Sequence, residues 1–218
     1  MSRPIAPYVT PWTGEAKTPI DVVVTSSGVA YADPVHDALA RDLDGTLWEL
    51  RGGTATGRPE YADLHPERQP AAMNSLLCAG CNQPAARDER GMLWLLPLVP
   101  LLDSVTSDWE GVRTTIPPMC EACTEETARL CPRMREGHVK LRAREAELIG
   151  VRGTLHPRPG ETCAPEPDAL VLYDSPDMPF VVARHVVREL CRTTLVALAV
   201  TTALPRTRPV QGPRVVTG

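Results

Sequence analysis

Four cysteines carry the clearest chemical signal in this chain. Cys78-Ala79-Gly80-Cys81 and Cys120-Glu121-Ala122-Cys123 are two C-x-x-C pairs with 38 residues between the inner members. Four thiolates so spaced fit one tetrahedral Zn²⁺, which takes sulfur at ~2.3 Å and needs no redox partner. Gly80 permits the tight turn of a zinc knuckle, whose backbone N–H groups can point at sulfur. The second pair opens a predicted helix, with Glu121, Glu125 and Glu126 in its first turns, where the helix dipole favours acid and also thiolate. The competing readings are a thioredoxin-like redox pair and cysteines that only pack. Neither pair follows a βαβ pattern, and two pairs in this setting argue against mere packing.

The other three cysteines read differently. Cys131 lies eight residues past Cys123, about 12 Å along a helix at ~1.5 Å per residue, so it is expected as a core residue at a helix end and not on the same ion. Cys191 closes an apolar stripe and is expected to be buried. Cys163 sits in a Pro-rich loop as an exposed thiol. An odd number of cysteines suits a reducing compartment with metal ligation better than a disulfide framework.

Two further clusters could do chemistry. Asp63, His65, Glu67 and Arg68 stand together, and a His beside carboxylates could act as a general base, cap a helix or join an ion network. His138 is flanked by Arg129, Arg133, Arg135, Lys140, Arg142 and Arg144, with Glu136 the only acid in that run. Such a stripe can neutralise phosphates, bind an acidic partner, or simply form a solvated face. It holds no aromatic residue for stacking on bases. His36, His156 and His185 form no recognisable triad, and the sequence has no G-x-G-x-x-G, P-loop, H-E-x-x-H or G-x-S-x-G motif.

The elements that must position these residues follow from pattern and composition. The 218 residues include 23 prolines but only one Phe, four Tyr and four Trp. The core must therefore rest on Leu, Val, Ala and Met, with many turns and short strands. A net charge of −4 excludes a wholly basic nucleic-acid coat. No apolar leader is evident, and the longest apolar stretch, Thr193 to Leu204, is too short to span a bilayer. A soluble, cytoplasmic protein without membrane contact is expected.

Strands are predicted around Ile20–Thr25, Val29–Tyr31, Thr46–Leu50, Gly91–Leu96 and Ala169–Tyr173, and a short helix from Pro70 to Leu77. Val139–Arg142 and Ile149–Arg152 read as strands, although Arg142 to Leu148 could be helical. From Phe180 to Cys191, apolar residues at Val181, Val182, Val186, Val187 and Leu190 recur at helical spacing, which predicts a helix. Residues 41–50 and 87–96 share the pattern R-D-x-x-G-x-L-W-x-L, consistent with a duplicated unit or with similar local physics.

Knuckle, hairpin, then a helix bearing the second cysteine pair is the order of a treble clef zinc finger. The segment from Leu77 to Cys123 resembles treble clef proteins, including zinc-bound HNH endonucleases. Those carry a histidine pair between their cysteine pairs, whereas residues 82–119 here contain no His, so the resemblance does not imply nuclease chemistry. The runs Leu64-His65-Pro66-Glu67-Arg68-Gln69 and Gly91-x-Leu93-Trp94-Leu95-Leu96 are similar to actinobacterial double-CxxC proteins, a likeness that implies no activity.

The expected fold class is α+β. A strand-rich part (1–73) should precede a treble-clef-like zinc module (74–132), a C-terminal α+β part with a helix packed on strands (133–204) and a disordered tail (205–218). The expected function is non-enzymatic: a structural-zinc binding or regulatory protein contacting an acidic protein or nucleic acid through Arg129 to Arg144. The alternatives are an enzyme using Asp63, His65 and Arg68, and a subunit of a larger assembly.

Overall fold

The computed structural model describes residues 6–98 and 109–200; the tail expected to be disordered lies outside them. Short strands fill the N-terminal region: β1 (Glu15–Lys17), β2 (Val22–Thr25) and β3 (Gly28–Tyr31) come before α1 (Pro34–Ala40), β4 (Leu47–Trp48) and β5 (Arg51–Gly53). Helix α1 starts where Asp33 accepts the backbone N–H groups of Val35 and His36 ahead of a first-turn proline. Helix α2 (Arg68–Asn74) precedes the first cysteine pair, and β6 (Arg87–Asp88) and β7 (Gly91–Pro97) form a hairpin after it. Strand β8 (Val112–Thr114) leads to α3 (Glu121–Leu130), which carries the second pair at its start. Then come α4 (Pro132–Arg135), β9 (Gly137–Leu155), β10 (Glu166–Leu172) and β11 (Val181–Val200). The fold is mixed α/β, rich in strands and poor in helix.

Seven of these strands make one sheet in the order β4-β11-β9-β7-β6, with β10 on β9 and β8 on β11. Its spine is the antiparallel pair β9 and β11, of 19 and 20 residues, in register from Val181 opposite Leu155 to Val200 opposite Gly137. The other edge of β9 is shared by β7 at one end and β10 at the other. The other edge of β11 is likewise shared by β4 at Val182–Ala183 and β8 at Arg188–Leu190.

The helix predicted from Phe180 to Cys191 is therefore corrected: only Met178–Phe180 makes a short 3₁₀ turn, and the rest is strand. The reason is burial on both faces. Val181, Val182, Ala183, Val186, Val187 and Leu190 are all buried, so the strict alternation of a half-exposed strand is lost. Register shifts at Ala183/His185 and Val187/Arg188 move side chains between faces and imitate a helical spacing. The β-branched valines favour the extended backbone. Arg142 to Leu148, left open between strand and helix, belongs to the continuous strand β9.

A side chain fills the gap between β4 and β8. Gln69, fully buried in α2, donates from Nε2 to the Thr115 and Val186 carbonyls at 2.6 and 2.9 Å, and its Oε1 accepts the Val186 N–H at 2.9 Å. The amide thus satisfies the β11 backbone where no strand lies alongside. Two apolar clusters meet across β7. Trp94 and Leu96 join Met73, Leu141, Val186 and Leu190 in one, while Leu95 joins Ala72, Cys78, Met119, Cys123 and Met134 in the other.

The repeated R-D-x-x-G pattern marks a repeated turn. Asp42 Oδ1 accepts the N–H of Asp44, and Asp88 Oδ1 that of Arg90; Gly45 and Gly91 then take left-handed backbone. The strands that follow differ, since β4 runs parallel to β11 and β7 antiparallel to β9.

Candidate metal centre

After α2 the chain turns sharply. Leu76 and Asn82 both adopt left-handed backbone, and Cys78 N–H donates to the Gln83 carbonyl at 2.7 Å while Asn82 N–H donates to the Cys78 carbonyl at 2.9 Å. The knuckle so closed is gripped from two sides. Tyr8 and Val9 donate their N–H groups to the carbonyls of Gly80 and Ala79, and Ala79 N–H donates to the Pro118 carbonyl at 2.9 Å. Met119 then runs between the strands, donating to Leu93 and accepting from Ala86. These bonds deliver Cys120 to the knuckle as the N-cap of α3, with Cys123 in the first turn.

The four sulfurs lie within 4.8 Å of one another. Cys81 and Cys120 Sγ are 3.8 Å apart, and sulfurs ~2.3 Å from one tetrahedral ion would be separated by about that distance. Cys78 Sγ accepts N–H bonds from Gly80 at 3.4 Å and Cys120 at 3.3 Å, the backbone-to-sulfur bonds expected of a knuckle. Burial pushes the Cys78 thiol up to about 11, against the pull of those backbone donors. Burial also raises Cys123, helped by proton sharing with the Cys120 thiol. For Cys120 burial works against the thiolate, but the Cys123 N–H and neighbouring thiols hold its pKa below the ordinary value. Four closely spaced sulfurs cannot all ionise in this setting without a compensating cation, and they could bind a metal ion.

Gly80 is needed for close approach. A Cβ there would lie 2.8 Å from both Cβ and Sγ of Cys123, so Gly80→Ala must push the helix start away from the knuckle. We expect metal affinity to fall by about tenfold or more, as read by competition with a chromophoric chelator, with secondary structure retained.

Arg142 is a correction to the predicted cationic contact surface. It is 5% exposed, pairs with Glu121 and with Asp88 at 3.1 Å, and donates to the Gly91 carbonyl. It ties the start of α3 to the β6–β7 hairpin, because a guanidinium under the sheet face needs every acceptor within reach. Arg129 (end of α3), Arg133 and Arg135 (α4) and Arg144 (β9) are exposed, and Lys140 is half-buried. Cys131 caps the end of α3 as expected and Cys163 is exposed, whereas Cys131 and Cys191 are both half-buried rather than buried in the core.

Asp63, His65 and Arg68 do come together, but with partners the sequence did not suggest. Arg68 grips both oxygens of buried Glu15, 53 positions away, and Arg51 pairs with Asp63 and Glu60. His65 Nδ1 accepts the N–H groups of Glu67 and Arg68, capping α2, and its Nε2 lies 3.8 Å from Glu15. His185 Nε2 donates to the Leu64 carbonyl at 2.9 Å. The hydrogen-bond salt bridge to Arg68 holds Glu15 down at about 2, and burial, with the Arg68 charge, lowers His65 to about 4. Burial lowers His185 too. The unfolded chain therefore takes up protons first as pH falls. Stability held by His65 is complete above about pH 6.5 and is lost on descent toward pH 4. Glu15 extends the loss below its ordinary value of 4.5. On the order of 3 kcal/mol should go with His65 alone, and His65→Gln should flatten the dependence of melting temperature on pH in that window.

No protein-family model, curated protein or solved structure matches this chain. Among the described residues no helix is long and apolar enough to cross a membrane.

Proposed function

We propose that this is a structural-zinc protein whose treble-clef-like module, residues 74–132, holds a cationic face in position for an acidic partner. The observation that carries the reading is the convergence of four sulfurs from two distant segments within 4.8 Å. An all-cysteine set leaves no open coordination position, which suits a structural ion rather than a catalytic one, and four soft donors in a tetrahedron favour zinc. The order knuckle, β6–β7 hairpin and α3 supports the treble-clef comparison. The likeness to actinobacterial double-CxxC proteins rests on the runs 64–69 and 91–96, the first of which lies ahead of this module. Thiolate ligands presuppose reducing surroundings, so the cytoplasm is the expected location.

The face in question is formed by Arg129, Arg133, Arg135, Lys140 and Arg144, without Arg142. Two measurements test the reading. Elemental analysis of protein purified without chelator should find one zinc per chain, and cobalt substitution should give the spectrum of a tetrahedral all-sulfur site; no stoichiometric metal would sink the proposal. Binding to an acidic polymer should weaken steeply with added salt, and Arg133→Glu should reduce the slope. Salt-insensitive or absent binding would remove the cationic-face half.

A further inference from the structure

A cleft of about 980 Å³ lies where the β2–β3 hairpin, the turn between α1 and β4, and the ends of α2 and β10 come together. Val186 and Leu148 line it from the central sheet, and Trp48 and Tyr173 add two aromatic side chains. Its walls are fixed by bonds within the chain. Asp42 Oδ1 accepts the N–H groups of Asp44 and Thr46, and Asp42 Oδ2 accepts the Trp48 indole N–H at 2.8 Å. Arg41 ties the same turn to the hairpin: it donates to the Gly45 and Val29 carbonyls while gripping Asp37 with two hydrogen bonds. The hairpin tip rests so closely on the loop after β10 that a Cβ on Gly28 would run into the Pro179 carbonyl. The cleft is thus preformed, and its size is that of a small-molecule site.

The polar groups of the lining say what kind of ligand fits. Arg41 and Asp42 are engaged in building the wall. The Asp44 carboxylate, the Asn74 amide and the Tyr173 hydroxyl have no hydrogen-bond or ion-pair partner among the described residues. Asp44 is therefore the one charge of the lining left to meet a ligand. The field has the same sign. Burial raises the Tyr173 hydroxyl, Asp42 pushes it further and Asp44 adds to the push, while the opposing pull of Arg188 is smaller than the effect of Asp42. Arg188 is itself buried and turned to the Met73 and Ala146 carbonyls. The potential beside Tyr173 is negative, which disfavours an anion.

We propose that this cleft binds a small organic cation, with an ammonium group beside Asp44 and an apolar body against Trp48 and Tyr173. Aromatic side chains attract such a cation beyond what a carboxylate alone supplies, and a bare metal ion would gain nothing from the apolar part of the lining. Asn74 and the Tyr173 hydroxyl are placed to orient polar atoms of the ligand. No cysteine lines the cleft, so this site goes beyond the metal-binding reading and is tested apart from it.

The test titrates the full chain at pH 7 with 2-phenylethylamine, with 2-phenylethanol (the ring without the charge) and with ethylamine (the charge without the ring). The indole N–H signals of the four tryptophans, followed by nuclear magnetic resonance, read both affinity and place. Phenylethylamine should move the Trp48 signal, leave those of Trp12, Trp94 and Trp109 in place, and bind about tenfold more tightly than either control. Asp44→Asn should bring the amine down to the level of the alcohol, and Tyr173→Ala should bring it down toward ethylamine. Both side chains are exposed, and an unchanged melting temperature will show that the variants fold. Equal binding of amine and alcohol overturns the cationic assignment, and equal binding of the two amines overturns the role of the rings. Binding that leaves Trp48 unmoved, or no binding by any probe, overturns the site.

Discussion

Cys78→Ser is expected to leave the protein without stoichiometric metal and to lower its melting temperature by on the order of 10 °C. Cys78 is fully buried, and its sulfur is the one that both the knuckle and the start of α3 bond to, through Gly80 and Cys120. Serine offers a shorter, harder donor that stays protonated, so an ion held by the four sulfurs would lose a quarter of its ligands and the two N–H groups lose a sulfur acceptor. Structural zinc contributes about 10–16 kcal/mol in small domains. Retaining only a few of these would still cost roughly 3–5 kcal/mol, and each kcal/mol shifts melting by about 2–4 °C in a chain of this size. Calorimetry with parallel metal analysis measures both. Hydrogen exchange should locate the loss at residues 77–98 and 118–134, sparing the centre of the β9–β11 ribbon. Full metal content or unaltered melting in Cys78→Ser would contradict the assignment of this sulfur.

The second large effect involves no cysteine. Gln69→Leu is expected to destabilise the fold by about 3–5 kcal/mol, although leucine matches glutamine in volume and needs no cavity. The change leaves the N–H and carbonyl of Val186 and the carbonyl of Thr115 without their partner, and each stranded buried group costs about 1–3 kcal/mol. Gln69→Glu should be no better: it keeps an acceptor for the Val186 N–H, loses both donated bonds and buries a charge. Urea unfolding should show a lower midpoint with unchanged slope for Gln69→Leu. A shift below 1 kcal/mol would mean that water or backbone adjustment replaces the amide.

These two residues also mark what could be read from the sequence. The cysteines were legible because ligand geometry imposes short local spacing, and each pair came with its own turn or helix signal. The strands at Val22–Thr25, Gly28–Tyr31 and Gly91–Pro97 were legible for similar local reasons. Gln69 was not, because its partner Val186 lies 117 positions away and nothing in either segment names the other. Glu15 and Arg68 were hidden in the same way, so the cluster of Asp63, His65 and Arg68 was noticed without the carboxylate that explains it. Arg142 looked like its neighbours in a cationic run; only the sheet decides which arginine turns inward. The valine-rich segment after Phe180 misled because burial on both faces, with register shifts, erases the period that separates strand from helix.

The bonds from Tyr8 and Val9 to Gly80 and Ala79 have a practical side. A truncation that removed Tyr8 and Val9 would take two backbone donors from the knuckle while leaving all four sulfurs in the chain, so trimming this end is expected to weaken metal retention.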